Sequence, residues 1–258
     1  MDSSDDIIGE IHGVIRVYKD GRFEIHSGTD VVPAGIDLSS GVQSKDVVIS
    51  PETNLSVRLY LPKTTTKKLP LLIYFHGGGF VYHNFLNLVA SESNVVIVSV
   101  DYRTASEYPL PTCFDDSWEA ITWVAGNCPD PWLNEYADLE NVFFAGDSAG
   151  GTIAHHMAIR VGSENSSVSL NLQGIMMLYP YFWGEDRIGS EAEHPWKRFV
   201  DKIWMFAHPG GSGLDDPLIN PDKDPKVSDL GCSRVLVCLA EKDIFKDRGS
   251  YYKEILGK

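Results

Sequence analysis

VFFAGDSAGG, residues 142–151, runs from a continuous apolar segment into a serine bracketed by glycines. Such an apolar run is typical of a strand buried on both faces, and the apolar spacing over residues 152–161 predicts a helix. Ser148 therefore lies on a sharp turn between a buried strand and a helix. Because Gly146 and Gly150 lack the side chains that would collide in that turn, we predict that Ser148 is an exposed nucleophile.

The same alternation of buried strand and helix recurs on both sides of this stretch. Apolar runs predict further buried strands over 71–75, 95–100, 175–178 and 235–239, with helices over 85–91 and 116–125. Nearer the N-terminus, a hairpin over 14–26 precedes an antiparallel pair over 47–49 and 55–61. This order predicts the α/β class, with a mostly parallel central sheet and helices on both faces.

A run of three glycines follows the first buried strand, in His76-Gly77-Gly78-Gly79. Glycines let the main chain approach a substrate and turn its amides inward, as an oxyanion hole requires. We predict that the N–H groups of Gly78, Gly79 and Ala149 bind the oxyanion. The remaining motif residues are predicted to support this loop and the turn; they are His76, Gly77, Gly146, Asp147 and Gly150.

The acid and the base of a catalytic triad are expected after the serine, in that order. Asp243 follows the last apolar run and is the predicted acid, whereas Asp247 is expected to cap the next helix. No histidine follows Asp243 in the printed sequence. Four upstream histidines lie on the helix after Ser148 or between later strands, where we do not expect the base; they are His155, His156, His194 and His208.

The net charge of −14 argues against nucleic acid and against an anionic membrane surface as partners. No apolar stretch reaches the roughly 18 residues of a membrane span, and the acidic residues 1–6 do not resemble a secretory signal.

The four cysteines (Cys113, Cys128, Cys232, Cys238) lack metal-site or disulfide spacing and are expected to be free thiols. We expect a cytoplasmic monomer or weak homodimer that binds a small-molecule ester, without cofactor or metal.

The motifs resemble those of plant carboxylesterases of the hormone-sensitive-lipase-like group, which have the α/β-hydrolase fold. They are HGGGF at 76–80, DYR at 101–103, GDSAGG at 146–151, DDPLINP at 215–221 and EKDIFKDR at 241–248. The resemblance extends from end to end and implies that Ser148 is the nucleophile, Asp243 the triad acid and the glycine loop the oxyanion hole. The group also contains gibberellin receptors, hydroxyisoflavanone dehydratases and related cyclases.

The resemblance implies a single domain over residues 1–258, with residues 1–13 and about 182–215 contributing to a small helical cap. Two departures stand out. Relatives of this kind have a further strand, a histidine loop and a last helix after the segment YYKE, and a longer connection after Phe80. Aromatic residues of the stretch 182–215 are expected to pack the core or shape a substrate site.

Three functions follow from these observations. The leading one is hydrolysis of small to medium acyl esters by Ser148, with the amides as oxyanion donors and a histidine oriented by Asp243 that is expected to be absent from the printed sequence. A lyase, dehydratase or cyclase could use the same pocket without acylating Ser148. A non-catalytic small-molecule receptor of the gibberellin type is the third, although residues 5–13 are short and acidic where a receptor lid is apolar.

Overall fold

A computed structural model describes residues 7–11, 15–19, 22–25, 32–63, 67–77, 83–105, 107–126, 130–163 and 168–257. The central sheet has seven strands in the spatial order β10-β9-β8-β6-β7-β5-β4. They are β4 (Gln43–Ser50), β5 (Leu55–Leu61), β6 (Leu69–Phe75), β7 (Val96–Asp101), β8 (Ala137–Asp147), β9 (Leu172–Leu178) and β10 (Val235–Cys238). β6 to β10 pair in parallel, whereas β4 and β5 are antiparallel to their neighbours. The predicted α/β class and mostly parallel sheet are confirmed.

Helices cover both faces of this sheet. The described helices are α1 (His83–Ser93), α2 (Thr112–Ala125), α3 (Pro131–Tyr136), α4 (Ala149–Gly162), α5 (Lys197–Ala207) and α6 (Lys246–Leu256). Alternate residues of β6 point to opposite faces, as the period of two requires. Ile73 packs with α2 and α4 in the larger core, whereas Leu72 packs with α1 in a smaller one.

The edge strand β10 is less buried than its apolar sequence predicts. Leu236 is 54% exposed, and Leu239, just past the strand, is 38% exposed. The reason is topological, since β10 pairs only with β9 among the described strands. An apolar run alone does not distinguish an edge strand from a central one.

A small separate sheet lies near the N-terminus. The predicted hairpin is confirmed as β2 (Ile15–Tyr18) and β3 (Phe23–Ile25), and β1 (Ile7–Ile11) pairs antiparallel with β2. The sequence did not indicate β1, because Gly9 and Glu10 interrupt the alternation of apolar and polar residues that predicts a strand. Cys113, Cys232 and Cys238 are free thiols, and Cys128 lies outside the described residues. Within the described part of the chain, every helix is too short or too polar to cross a membrane.

The segment between β9 and β10 contains a short 3₁₀ helix, Gly189–Glu193, and α5. Val200 and Trp204 of α5 are buried against Trp183 and Ile219, whereas Trp196 is 40% exposed. A buried ion pair, Glu191 with Arg248 at 2.9 Å, fixes this segment to α6. Burying two charges costs nearly as much free energy as their attraction returns, so the pair adds little net stability. Separating Glu191 from Arg248 would leave a buried charge without a partner, and this cost fixes the placement of the segment.

Candidate active site

Ser148 occupies a strained turn between β8 and α4. Its φ of 51° and ψ of −118° lie outside the regions that a residue with a side chain ordinarily adopts. Backbone hydrogen bonds hold it there: its N–H donates to Leu178 O at 2.9 Å, and its carbonyl accepts from Thr152 N and Tyr181 N. No hydrogen bond from the Ser148 hydroxyl is found to any residue of the described ranges. The turn therefore presents an unengaged hydroxyl where β8 ends.

Gly146 and Gly150 lie two residues before and two residues after Ser148. Both positions must be glycine because the main chain at the end of β6 approaches them closely. A Cβ at Gly150 would overlap the carbonyl oxygen of Phe75 and lie 2.7 Å from that of His76. A Cβ at Gly146 would lie 2.6 Å from the same Phe75 oxygen. Real Cβ atoms essentially never approach closer than 3.0 Å. The end of β6 and the start of α4 thus meet only because both positions lack a side chain.

Gly150→Ala is expected to destabilise the fold and distort the turn, because rigid backbone rather than a flexible side chain occupies the space. Overpacking typically costs about 1–3 kcal/mol, and we expect the upper part of that range or more here. Urea unfolding measures the change. Gly210→Ala is the matched control, since no atom lies within 4 Å of its added Cβ, and it should change stability by less than about 0.5 kcal/mol. Equal stability of the two variants would contradict the close approach.

Asp147 connects the serine turn to the glycine loop. Its Oδ1 accepts hydrogen bonds from Gly77 N–H at 2.8 Å and from the Tyr74 hydroxyl at 2.7 Å. Burial, the largest cause, and the neighbouring Asp147 raise the pKa of Tyr74, so its hydroxyl stays a donor at neutral pH. The structure thus brings two predicted supporting residues, Asp147 and Gly77, into direct contact. Tyr74 is not evident as a site residue from sequence, although a buried tyrosine hydroxyl generally requires a partner.

His76 directly follows β6 and packs against Tyr102. Its ring stacks on Tyr102 with a centroid distance of 4.3 Å, and its Nδ1 lies 2.8 Å from Gly77 O. The Tyr102 hydroxyl donates to His76 O. These contacts hold the end of β6 against the residue that follows β7. Gly78 and Gly79, two of the predicted oxyanion donors, lie outside the described residues, whereas Ala149 begins α4 directly after Ser148.

Asp243 lies beyond β10, half-buried, and its carboxylate accepts from Phe245 N–H at 2.6 Å. Burial raises the pKa of Asp243, while that hydrogen bond and His194 act in the opposite direction. The expectation that Asp247 caps α6 is wrong. Its carboxylate instead accepts from the N–H and the hydroxyl of Ser190, at 2.7 and 2.5 Å, and so holds the 3₁₀ segment.

Two aromatic residues connect the surroundings of Ser148 and Asp243. Tyr181 N–H donates to Ser148 O, and the Tyr181 ring packs edge-on against Phe245 at 4.8 Å. The Phe245 N–H is the donor to Asp243. The predicted nucleophile and the predicted acid are therefore linked through a single aromatic contact. No local sequence signal pairs Tyr181 with Phe245, which lie far apart along the chain.

The four histidines weighed from the sequence as possible bases have their hydrogen-bond or ion-pair partners elsewhere than at Ser148. His155 lies 2.8 Å from the Tyr252 hydroxyl, His156 lies 3.1 Å from Leu218 O, and His208 lies 3.5 Å from Asp216. His194 accepts from Trp196 N–H at 3.2 Å and acts on Asp243 only through charge. Among the residues that the structure describes, none of these rings is hydrogen-bonded to Ser148 or to Asp243.

Comparison with known proteins gives consistent matches. A sequence profile of the alpha/beta hydrolase fold matches residues 72–258. "Probable carboxylesterase 2" of Arabidopsis thaliana is 45% identical over 255 residues, covering 94% of this chain and 80% of the relative. "Tuliposide A-converting enzyme b3, amyloplastic" of Tulipa gesneriana is 42% identical over 271 residues, covering 98% and 70%. An esterase structure from Pyrobaculum calidifontis is 26% identical, with a TM-score of 0.68 over 87% of this chain and 71% of that one.

Proposed function

The chain belongs to the α/β-hydrolase fold family and is a carboxylesterase of the plant group, and we propose that Ser148 is its nucleophile. The observation that supports this assignment is the strained turn, where φ is 51° and the hydroxyl has no partner in the described part of the chain. Strain of this kind is maintained at functional sites when surrounding contacts over-determine it. Here the contacts are the hydrogen bonds from Ser148 N–H to Leu178 O and from Tyr181 N–H to Ser148 O.

In the proposed mechanism the Ser148 oxygen attacks the ester carbonyl carbon, and the alcohol leaves as an acyl-enzyme forms. The amides of Gly78, Gly79 and Ala149 stabilise the oxyanion, each contributing about 3 kcal/mol. The base that this mechanism requires is a histidine that would accept the Ser148 proton, donate its other N–H to Asp243 and return the proton to the leaving alcohol. His155, His156, His194 and His208 do not fill this role, since each is bonded elsewhere. Water then hydrolyses the acyl-enzyme by the same route. Asp147 acts as a positioning residue, since it holds Gly77 N–H beside the serine turn.

The substrate class we propose is a small to medium acyl ester. The rings of Tyr181 and Trp183 pack edge-on against Phe245, two residues after Asp243, so apolar side chains adjoin the predicted acid. A net charge of −14 disfavours strongly anionic partners and nucleic acid. We further propose a cytoplasmic monomer or weak homodimer. Relatives named chloroplastic or amyloplastic make a plastid the alternative compartment, which a fluorescent fusion distinguishes.

Covalent trapping tests the function. Incubation with a p-nitrophenyl phosphonate should release p-nitrophenol, add one phosphonyl group to the protein and place it on the peptide that contains Ser148. Hydrolysis of p-nitrophenyl acetate should disappear in proportion to labelling. A lyase that does not acylate its serine would keep its elimination activity after treatment, and labelling at another residue with unchanged ester hydrolysis would contradict the proposal.

A further inference from the structure

Two histidines and a carboxylate meet inside the protein, away from the glycine loop. His155 and His156 are consecutive on α4, and Asp224 follows a 3₁₀ helix, Pro221–Lys223. One nitrogen of each ring and one oxygen of the carboxylate all lie within 4.8 Å of one another. No sequence motif marks this cluster, because consecutive helical histidines are not a familiar ligand pair and Asp224 is distant along the chain.

Neighbouring groups orient both rings. The His156 Nε2 lies 3.1 Å from Leu218 O, so this nitrogen carries the proton and Nδ1 keeps its lone pair. That Nδ1 lies 3.9 Å from Asp224 Oδ2, whereas the other carboxylate oxygen accepts from Lys226 N–H. Hydrogen bonds from the second ring nitrogen to a carbonyl are the usual means by which proteins orient metal-binding histidines.

His155 provides an independent observation. Its side chain is fully buried, and its Nδ1 lies 2.8 Å from the Tyr252 hydroxyl. Its Nε2 is buried with no hydrogen-bond partner in the described structure. Buried polar atoms are almost always satisfied by a partner, an ordered water or an ion. This unpartnered nitrogen is the second observation behind the proposal, since a bound ion would give it a partner.

We propose that His155, His156 and Asp224 bind one divalent transition-metal cation, with Zn²⁺ as the ion that this donor set suits best. Two imidazole nitrogens and one carboxylate oxygen are typical zinc ligands and leave a fourth position for water. Tetrahedral zinc needs ligand atoms about 3.3 Å apart, so the cluster contracts by roughly an ångström on binding.

The protonation states suit a cation. With its proton on the hydrogen-bonded nitrogen, Nδ1 of His155 toward the Tyr252 hydroxyl and Nε2 of His156 toward Leu218 O, each ring keeps a lone pair on the other nitrogen for the metal. His155 is seven residues after Ser148, which is about 10 Å along the helix. The ion would connect α4 to the segment 216–224, and through Tyr252 to α6. We assign the ion to holding these elements together, because it would connect three segments of the fold and lie about 10 Å along α4 from Ser148.

Metal binding is tested on the full chain, purified with a tag that contains no histidine. After incubation with ZnCl₂ and gel filtration, native mass spectrometry should show one zinc ion per chain. Isothermal titration gives the dissociation constant, and thermal unfolding with zinc should give a Tm several degrees higher than with EDTA. Cobalt as a substitute should give the visible absorption bands of a tetrahedral ion.

Two conservative variants and a matched control decide the assignment. Asp224→Asn should weaken zinc binding at least about tenfold and keep the metal-free Tm, because the amide oxygen still accepts from Lys226 N–H. His156→Asn also removes the bond to Leu218 O, so it should weaken zinc binding at least as much and lower the metal-free Tm. Asp222→Asn removes the same charge two residues away and should bind zinc as the wild type does. The proposal is overturned if the wild type retains no zinc, or if Asp224→Asn binds as tightly as Asp222→Asn.

Discussion

Replacing Ser148 with alanine should lower kcat/KM for p-nitrophenyl acetate by about 10⁵–10⁶-fold, to the level that substrate binding and the oxyanion donors sustain without a nucleophile. The physical reason is local. The Ser148 hydroxyl is the group that the strained turn presents, and no other described side chain takes its place there. Steady-state hydrolysis, with single-turnover analysis for the variant, measures the change.

The variant should fold normally, because hydrogen bonds of the Ser148 backbone, not of its hydroxyl, hold the turn. Its Tm is therefore expected within about 2 °C of the wild type. Ser163→Ala is the control at the other end of α4, where the hydroxyl donates to Arg160 O at 2.9 Å, and it should keep full activity. Hydrolysis by Ser148→Ala at a rate similar to wild type would refute the nucleophile assignment.

Short-range patterns predicted the parts of the fold that depend on the immediate sequence. The apolar run before Gly146, the flanking glycines and the helix after Ser148 placed the turn correctly, because strand burial and close approach impose those residue types. The strand pairs of the N-terminal half followed from alternation and turn residues in the same way. The structure adds the reason for Gly150, which is the Phe75 carbonyl.

Contacts between distant segments could not be predicted. Nothing near Asp147 specifies Tyr74 and Gly77 as its donors, and nothing near Asp247 specifies Ser190. Helix-capping statistics favoured a local partner for Asp247, but the tertiary contact with Ser190 prevailed. The burial of a strand also depends on its position in the sheet, which is why β10 is more exposed than its sequence indicates.

Asp243→Asn is expected to lower kcat for ester hydrolysis by about 10⁴-fold, since an amide cannot stabilise the histidine cation or hold its neutral tautomer. The same change should leave stability at pH 7 equal or higher. Burial raises the pKa of Asp243 above its usual 3.8, so ionisation is less favourable in the folded protein than in the unfolded chain. That penalty is fully present above the raised pKa and disappears as the pH falls below 3.8, where the carboxyl is protonated in both states.

Asp247→Asn, four residues away, is expected to change the stability at pH 7 in the opposite direction to Asp243→Asn. The Ser190 hydroxyl and N–H lower the pKa of Asp247, so its ionised form stabilises the folded protein above pH 3.8, and this contribution is lost as the pH falls through the lowered pKa. The variant should therefore be less stable than the wild type at pH 7. Its kcat should stay within about threefold, because the Asp247 carboxylate bonds Ser190 of the 3₁₀ helix and not the turn that contains Asp243. Urea unfolding at several pH values, together with ester hydrolysis, measures both variants. If Asp247→Asn lost the activity and Asp243→Asn kept it, Asp247 would be the triad acid.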